Sequence, residues 1–185
     1  MTEIKQQAGR KFGAARKFFH WIIALFLLLQ IPLGLYMTDL PLGPDKLEKY
    51  SLHKAIGMLI FILAISRLAW AAISQRPPLP VTTPLYEKAL VKGLQAILYI
   101  IVCLMPLSGW MMSSAAGYPV NLFGLLTLPG LIEPNKELVE GFIQMHEIQS
   151  WILFGAIGLH FIGALRHHFL LKDDILNSML PSKTK

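Results

Sequence analysis

The sequence predicts an all-α integral membrane protein: a four-helix bundle, both termini cytoplasmic, with a long outer loop between helices three and four. Three observations carry this. Four apolar runs, at about 18–37, 51–73, 93–113 and 147–171, each approach the roughly 20 residues needed to span a bilayer. Charged residues make up 15% of the 185, against about 25% in soluble domains. Finally, His20, His53, His146 and His160 lie in or at the ends of those runs, where an ionisable side chain is costly and usually faces the protein interior.

Each helix has its own boundaries. The first runs from about Phe18 to Met37, before the Pro41/Gly43/Pro44 turn cluster. It resembles a signal peptide in its basic lead-in, but its length, its histidine and the following Met-Thr-Asp-Leu-Pro mark a retained helix. The second starts near Ser51, and Pro77, Pro78, Pro80 and Pro84 make a stiff connector after it. The third covers about Leu94 to Met112, with Pro106 as a candidate kink.

Between Ala115 and Ile132 the chain is apolar and charge-free, but Gly117, Pro119, Gly124, Pro129 and Gly130 interrupt it. It is expected at the membrane interface or as a lid over an outer cofactor. A short surface helix is expected over Pro134–Gln144. The fourth spanning helix runs from about His146 to Leu171. No repeat divides the chain, so residues 1–185 read as one membrane domain.

The formal charge of +6 is a topology signal and not a nucleic-acid footprint. Lys5, Arg10, Lys11, Arg16, Lys17, Arg76, Lys88, Lys92, Arg166, Lys172, Lys183 and Lys185 fall on one side of the spans. Opposite them are Lys46, Lys49, Lys54 and Lys136, mixed with six carboxylates. The positive-inside rule puts the first group, and both termini, in the cytoplasm. One cysteine, Cys103, excludes an intrachain disulfide and an iron–sulfur cluster held by this chain alone. It reads as a small buried hydrophobe.

Topology decides which histidines can meet. His146 and His160 are 14 residues apart on one helix, which places them roughly 21 Å apart and within about 40° of one face. His20 shares the cytoplasmic half with His160, and His53 the outer half with His146. Two such pairs suit two non-covalent b-type haems, since the Cys-x-x-Cys-His of covalent attachment is absent. Two axial imidazoles leave no open position on an iron, which favours electron transfer over oxygen chemistry. Hydrogen bonding between helices and a proton path are the alternatives. Zinc is disfavoured, because the helix-four histidines are too far apart to share an ion.

Other residues are candidates for support. Arg67 lies 14 residues beyond His53, pointing toward the cytoplasmic pair, where its guanidinium would hold a haem propionate or snorkel to the interface. Gly57, Gly155, Gly158 and Gly163 would admit a flat macrocycle or serve helix packing. Tyr50 and Lys54 would reach outer propionates. Trp21, Trp70, Trp110 and Trp151 read as an aromatic belt. His167 and His168 are interfacial, or proton carriers near a quinone.

The His-Trp opening helix one, the His-Lys-x-x-Gly of helix two and Arg67-Leu68 near its end form a recognisable pattern. So do His146, Gly155-Ala-Ile-Gly-Leu-His160, His167-His168-Phe-Leu-Leu-Lys172-Asp and the tail Leu-x-x-Met-Leu-Pro181. Together they resemble the bacterial cytochrome b561 family, related to the cytochrome b subunit of nickel hydrogenases, over nearly the whole chain. The resemblance implies a di-haem b protein of the inner membrane, ligated by His20, His53, His146 and His160, exchanging electrons with ubiquinone or ubiquinol. Some members are similar to superoxide oxidases. Three expectations follow: a transmembrane electron carrier coupled to the quinone pool, a superoxide:ubiquinone oxidoreductase, or a haem-bearing anchor for a separate dehydrogenase or periplasmic donor. A histidine-bearing transporter is the non-redox alternative.

Overall fold

A computed structural model describes residues 12–74 and 83–180. Its order is α1 (Ala14–Asp39), α2 (Pro44–Ile73), α3 (Leu85–Ala115), β1 (Val120–Leu122), β2 (Leu126–Leu128), α4 (Lys136–Leu165), a π-helical turn (Arg166–Leu171) and the short α5 (Ile175–Met179). Four helices are long and apolar enough to cross a membrane, the fourth being Lys136–Leu171 with its π turn. Of the basic residues used for topology, Lys5, Arg10, Lys11, Arg76, Lys183 and Lys185 lie outside the described residues, as do Pro77, Pro78 and Pro80 of the connector and Pro181 of the tail.

All four spanning helices begin earlier than their apolar runs, α1 at Ala14 and not near Phe18. α2 begins at Pro44 instead of Ser51, with proline in its first turn beside Asp45, where a missing N–H costs nothing and a carboxylate suits the helix dipole. α3 begins at Leu85 and not near residue 93. α4 begins at Lys136, so the short surface helix expected over Pro134–Gln144 is instead the first turns of this helix. The Asn135 side chain accepts from the Glu137 N–H (3.0 Å), capping one orphan donor. The polar turns added to α2 and α4 continue the helices past their apolar runs. α3 continues through Pro106.

The chain is not purely helical. Within the loop after α3, β1 and β2 pair antiparallel, Val120 with Leu128 and Leu122 with Leu126. Phe123 (φ 54°) and Gly124 (φ 78°) form the tip, both in the left-handed region that a tight hairpin turn requires. Leu125 N–H donates to Leu122 O (3.0 Å).

Close backbone packing joins consecutive helices: α1 with α2, α2 with α3, and most extensively α3 with α4. α1 and α4 approach less closely, which leaves room between them for side chains. At one end of the bundle, Arg16 donates to Ser74 O (2.6 Å) and Lys17 to Leu180 O (2.8 Å). Trp21 Nε1 donates to Met179 O (2.9 Å) and Arg166 to Glu87 (2.5 Å). At the other, Lys54 Nζ donates to Pro119 O (2.8 Å) and Ser113 Oγ (3.2 Å), and Trp110 Nε1 to Pro129 O (3.0 Å). The termini of the bundle therefore share one end and the hairpin occupies the other.

Candidate functional site

Four imidazoles meet as two pairs inside the bundle. His20 of α1 faces His160 of α4 with ring centroids 6.0 Å apart and planes at 65°. His53 of α2 faces His146 of α4 at 6.4 Å and 73°. The first pair lies toward the terminal end and the second toward the hairpin end. A metal–imidazole bond is about 2.0–2.1 Å and a ring nitrogen lies about 1.1 Å from its centroid, so two imidazoles across one ion stand about 6.2 Å apart, centroid to centroid. Both pairs match that span.

Among the described residues, no group of three or more His, Cys, Asp or Glu side chains could hold a metal ion. Zinc prefers three or four protein ligands. A site with two imidazoles needs its remaining ligands from another molecule, and a porphyrin supplies four nitrogens in one plane. The donor set therefore fits haem.

The hairpin-end pair has a detailed surround. His146 Nδ1 is 2.9 Å from Ser108 Oγ, which also lies 2.6 Å from Gln149 Oε1 and 2.8 Å from Met105 O. Both further neighbours are acceptors, so the hydroxyl gives its hydrogen to them and accepts from Nδ1–H. That tautomer leaves Nε2 bare as a ligand. Ser108 is 2% exposed, which shields this chain of bonds from water. Among the described residues, the His53 Nδ1 has no such partner and is buried without a hydrogen bond. A buried nitrogen of this kind is costly unless something ligates or bonds the ring. On the backbone side, Gln30 Nε2 donates to His53 O (2.9 Å).

Two glycines make space for these rings. A Cβ on Gly34 of α1 would stand 3.0 Å from His53 Cε1, and one on Gly109 of α3 would stand 3.3 Å from His146 Cε1. Gly34 is 14 residues after His20, on the same face of α1 by the spacing that separates the α4 histidines. Gly57 is also a close approach, to the Gln30 amide (3.3 Å), whereas Gly155, Gly158 and Gly163 have nothing within 4 Å of a Cβ position. Gly155, nine residues past His146, turns about 180° away from it.

At the terminal end, the Arg67 guanidinium lies 5.0 Å above the Tyr99 ring, a cation–π contact, within electrostatic reach of both His20 and His160. It shares a small cleft with Arg16, Trp70, Gln95 and Tyr99. Trp21 packs edge-on to His20 at 5.2 Å. Lys54, a sequence candidate for propionates, ties α2 to the hairpin instead, and the Lys46 ammonium lies over Tyr50 at 5.9 Å. His167 is buried, with Nδ1 2.6 Å from Asp173 Oδ2. Ser108, Gln149, Gly34 and Gly109 escaped the sequence reading; only the 14-residue offset of Gly34 from His20 signalled its role.

The family model for prokaryotic cytochrome b561 matches residues 11–182. The chain belongs to that family. Among curated proteins it is 31% identical over 172 residues to cytochrome b561 homolog 2 of Escherichia coli, covering 92% of this chain and 91% of that one. It is 25% identical to cytochrome b561 homolog 1 of the same organism, over 94% of this chain and 98% of that one. With the probable superoxide oxidase CybB of Yersinia pestis it shares 25% identity, again over 94% and 98%. With four apolar helices, this cytochrome b561 is a multi-pass bacterial membrane protein. Membership implies b-type haem binding and membrane electron transfer.

Proposed function

We propose that this cytochrome b561 conducts electrons across the bacterial inner membrane through two non-covalent b haems, exchanging them with ubiquinone or ubiquinol. The supporting observation is the pair of imidazole pairs at a ligand-to-ligand span, staggered along α4 by 14 residues, or about 21 Å. His20 and His160 would hold one haem, His53 and His146 the other. Bound in this way, a haem iron accepts and donates one electron without an open coordination position.

The chain's own groups would hold and tune these centres. Ser108 fixes the His146 tautomer, and the Gly34 and Gly109 gaps set how far the hairpin-end rings can move. Arg67 brings a positive charge to the terminal-end pair, which favours the reduced state there and suits a propionate. The basic excess on the terminal side of the spans, read by the positive-inside rule, supports a cytoplasmic terminal end. The whole of 1–185 acts as one domain.

A second reading is superoxide:ubiquinone oxidoreduction, favoured by the relative described as a probable superoxide oxidase. Two superoxide anions would each lose one electron to give two dioxygen molecules, and one quinone would take both electrons and two protons.

The test is haem quantification with reduced-minus-oxidised spectra on the purified protein, alongside His20→Ala and His53→Ala. About two b haems per chain, with a different one perturbed by each variant, is the expected result. Absence of stoichiometric haem would overturn the proposal. Quinol and superoxide assays on the same preparation then separate the two readings.

A further inference from the structure

The hairpin between α3 and α4 is apolar, exposed and folded back along a membrane helix. From Ala115 to Ile132 it carries no charge. Leu125 is 89% exposed, and Phe123, Leu126 and Tyr118 are more than half exposed. An apolar patch this dense on a soluble surface marks an interaction site.

Lys54 fixes the hairpin's depth. Its ammonium bonds Pro119 at the hairpin base, and no charged residue follows on α2 until Arg67. Lys54 therefore marks the rim of the apolar span. From that rim the hairpin descends: Leu122, Phe123, Leu125 and Leu126 line a cavity of about 310 Å³ with Ala55, Leu59 and Ile62 of α2. Leu59 and Ile62 are five and eight residues past Lys54, about 7.5 and 12 Å along the helix axis. That exceeds the headgroup layer, which is about 6 Å on each side.

Two features of the tip suit that depth. Several of its polar groups find partners within the turn: Leu125 N–H with Leu122 O, Gly124 N–H with Asn121 Oδ1, and Asn121 Nδ2 with Thr127 Oγ1. Backbone in hydrocarbon requires such internal pairing. Phe123 holds φ at 54°, a conformation a bulky residue rarely adopts. Asn would fit the turn better, so the ring is held at the expense of local preference, and it lines the cavity.

We propose that the hairpin tip is set into the bilayer leaflet on its own side, and that an acyl chain of a phospholipid of that leaflet fills the cavity between it and α2. The lining is wholly apolar and none of the four histidines contributes to it. Of its α2 lining, Ile62 is more than half exposed. The tip thus acts as a wedge that holds one lipid against the bundle.

The test uses the full haem-loaded chain in phosphatidylethanolamine/phosphatidylglycerol nanodiscs, with Cys103→Ala as background. A fluorophore is placed at Leu125→Cys, or at Leu126→Cys if the first fails to fold, and compared with Glu133→Cys. Blue-shifted emission at the tip, quenched more by acyl-chain nitroxide lipid than by headgroup nitroxide or iodide, is expected. Iodide quenching equal to that at Glu133→Cys would overturn insertion. Disulfide-linked dimers through the tip would assign the surface to a second copy and overturn it too. Leu59→Trp fills the cavity and should lose one retained phospholipid in native mass spectra. An unchanged lipid count, or loss of copurified quinone in its place, would overturn the acyl-chain assignment.

Discussion

Gly34 on α1 lies directly against the imidazole of His53 on α2, so closely that a methyl group there would stand 3.0 Å from Cε1. The ring is confined between helices and cannot retreat freely. Gly34→Ala is expected to displace it and perturb only the haem proposed for the hairpin-end pair in low-temperature difference spectra. Overpacking of this kind costs about 1–3 kcal/mol, seen as a lower Tm. Gly109→Ala, at 3.3 Å from His146 Cε1, should act on the same centre more mildly.

Ser108→Ala removes the acceptor for His146 Nδ1–H and leaves Gln149 Oε1 without its donor. Loss of such a supporting bond typically weakens a metal site by about 10–100-fold. Haem titration of the stripped protein should show one weakened site and one unaltered. Equal weakening of both would mean that Ser108 serves the bundle as a whole.

Arg67→Gln removes the positive charge near His20 and His160. A reduced iron centre carries one unit less positive charge than its oxidised form, so losing Arg67 should lower the potential of the terminal-end haem. The scale is about 2 kcal/mol for a separation of about 8 Å at an effective dielectric of about 20. Arg67→Lys should restore the potential in part but not the stacking on Tyr99. A spectroelectrochemical titration checks both.

Asp173 binds His167 Nδ1 with one carboxylate oxygen and the Ile175 N–H with the other. Asp173→Ala is expected to loosen the π turn and α5 by about 1–2 kcal/mol, the range of a lost helix cap. Hydrogen exchange should rise over residues 166–180, with haem content unchanged.

The four spans and the two histidine pairs were legible because long apolar runs and buried ionisable groups are strong signals in a membrane chain. The helix starts were not. An apolar run reports where lipid begins, and the polar turns at Pro44–Tyr50 and Lys136–Met145 lie beyond it. The hairpin was hidden because Phe123 occupies a turn position that Asn or Gly usually announces. Ser108 and Gln149 are neutral and common in helices. Only folding, which brings α3 beside α4, reveals what they hold.

Lys17 is 8% exposed, and its ammonium donates to the carbonyl of Leu180, 163 residues away in sequence, while Trp21 reaches Met179 beside it. α1 is thus latched by the segment that follows the π turn. Lys17 lies three residues before His20, so the same latch holds the end of α1 that carries the terminal-end ring. The contacts that hold the terminal-end pair therefore come from the two extremes of the described chain, and those at the hairpin end from its middle.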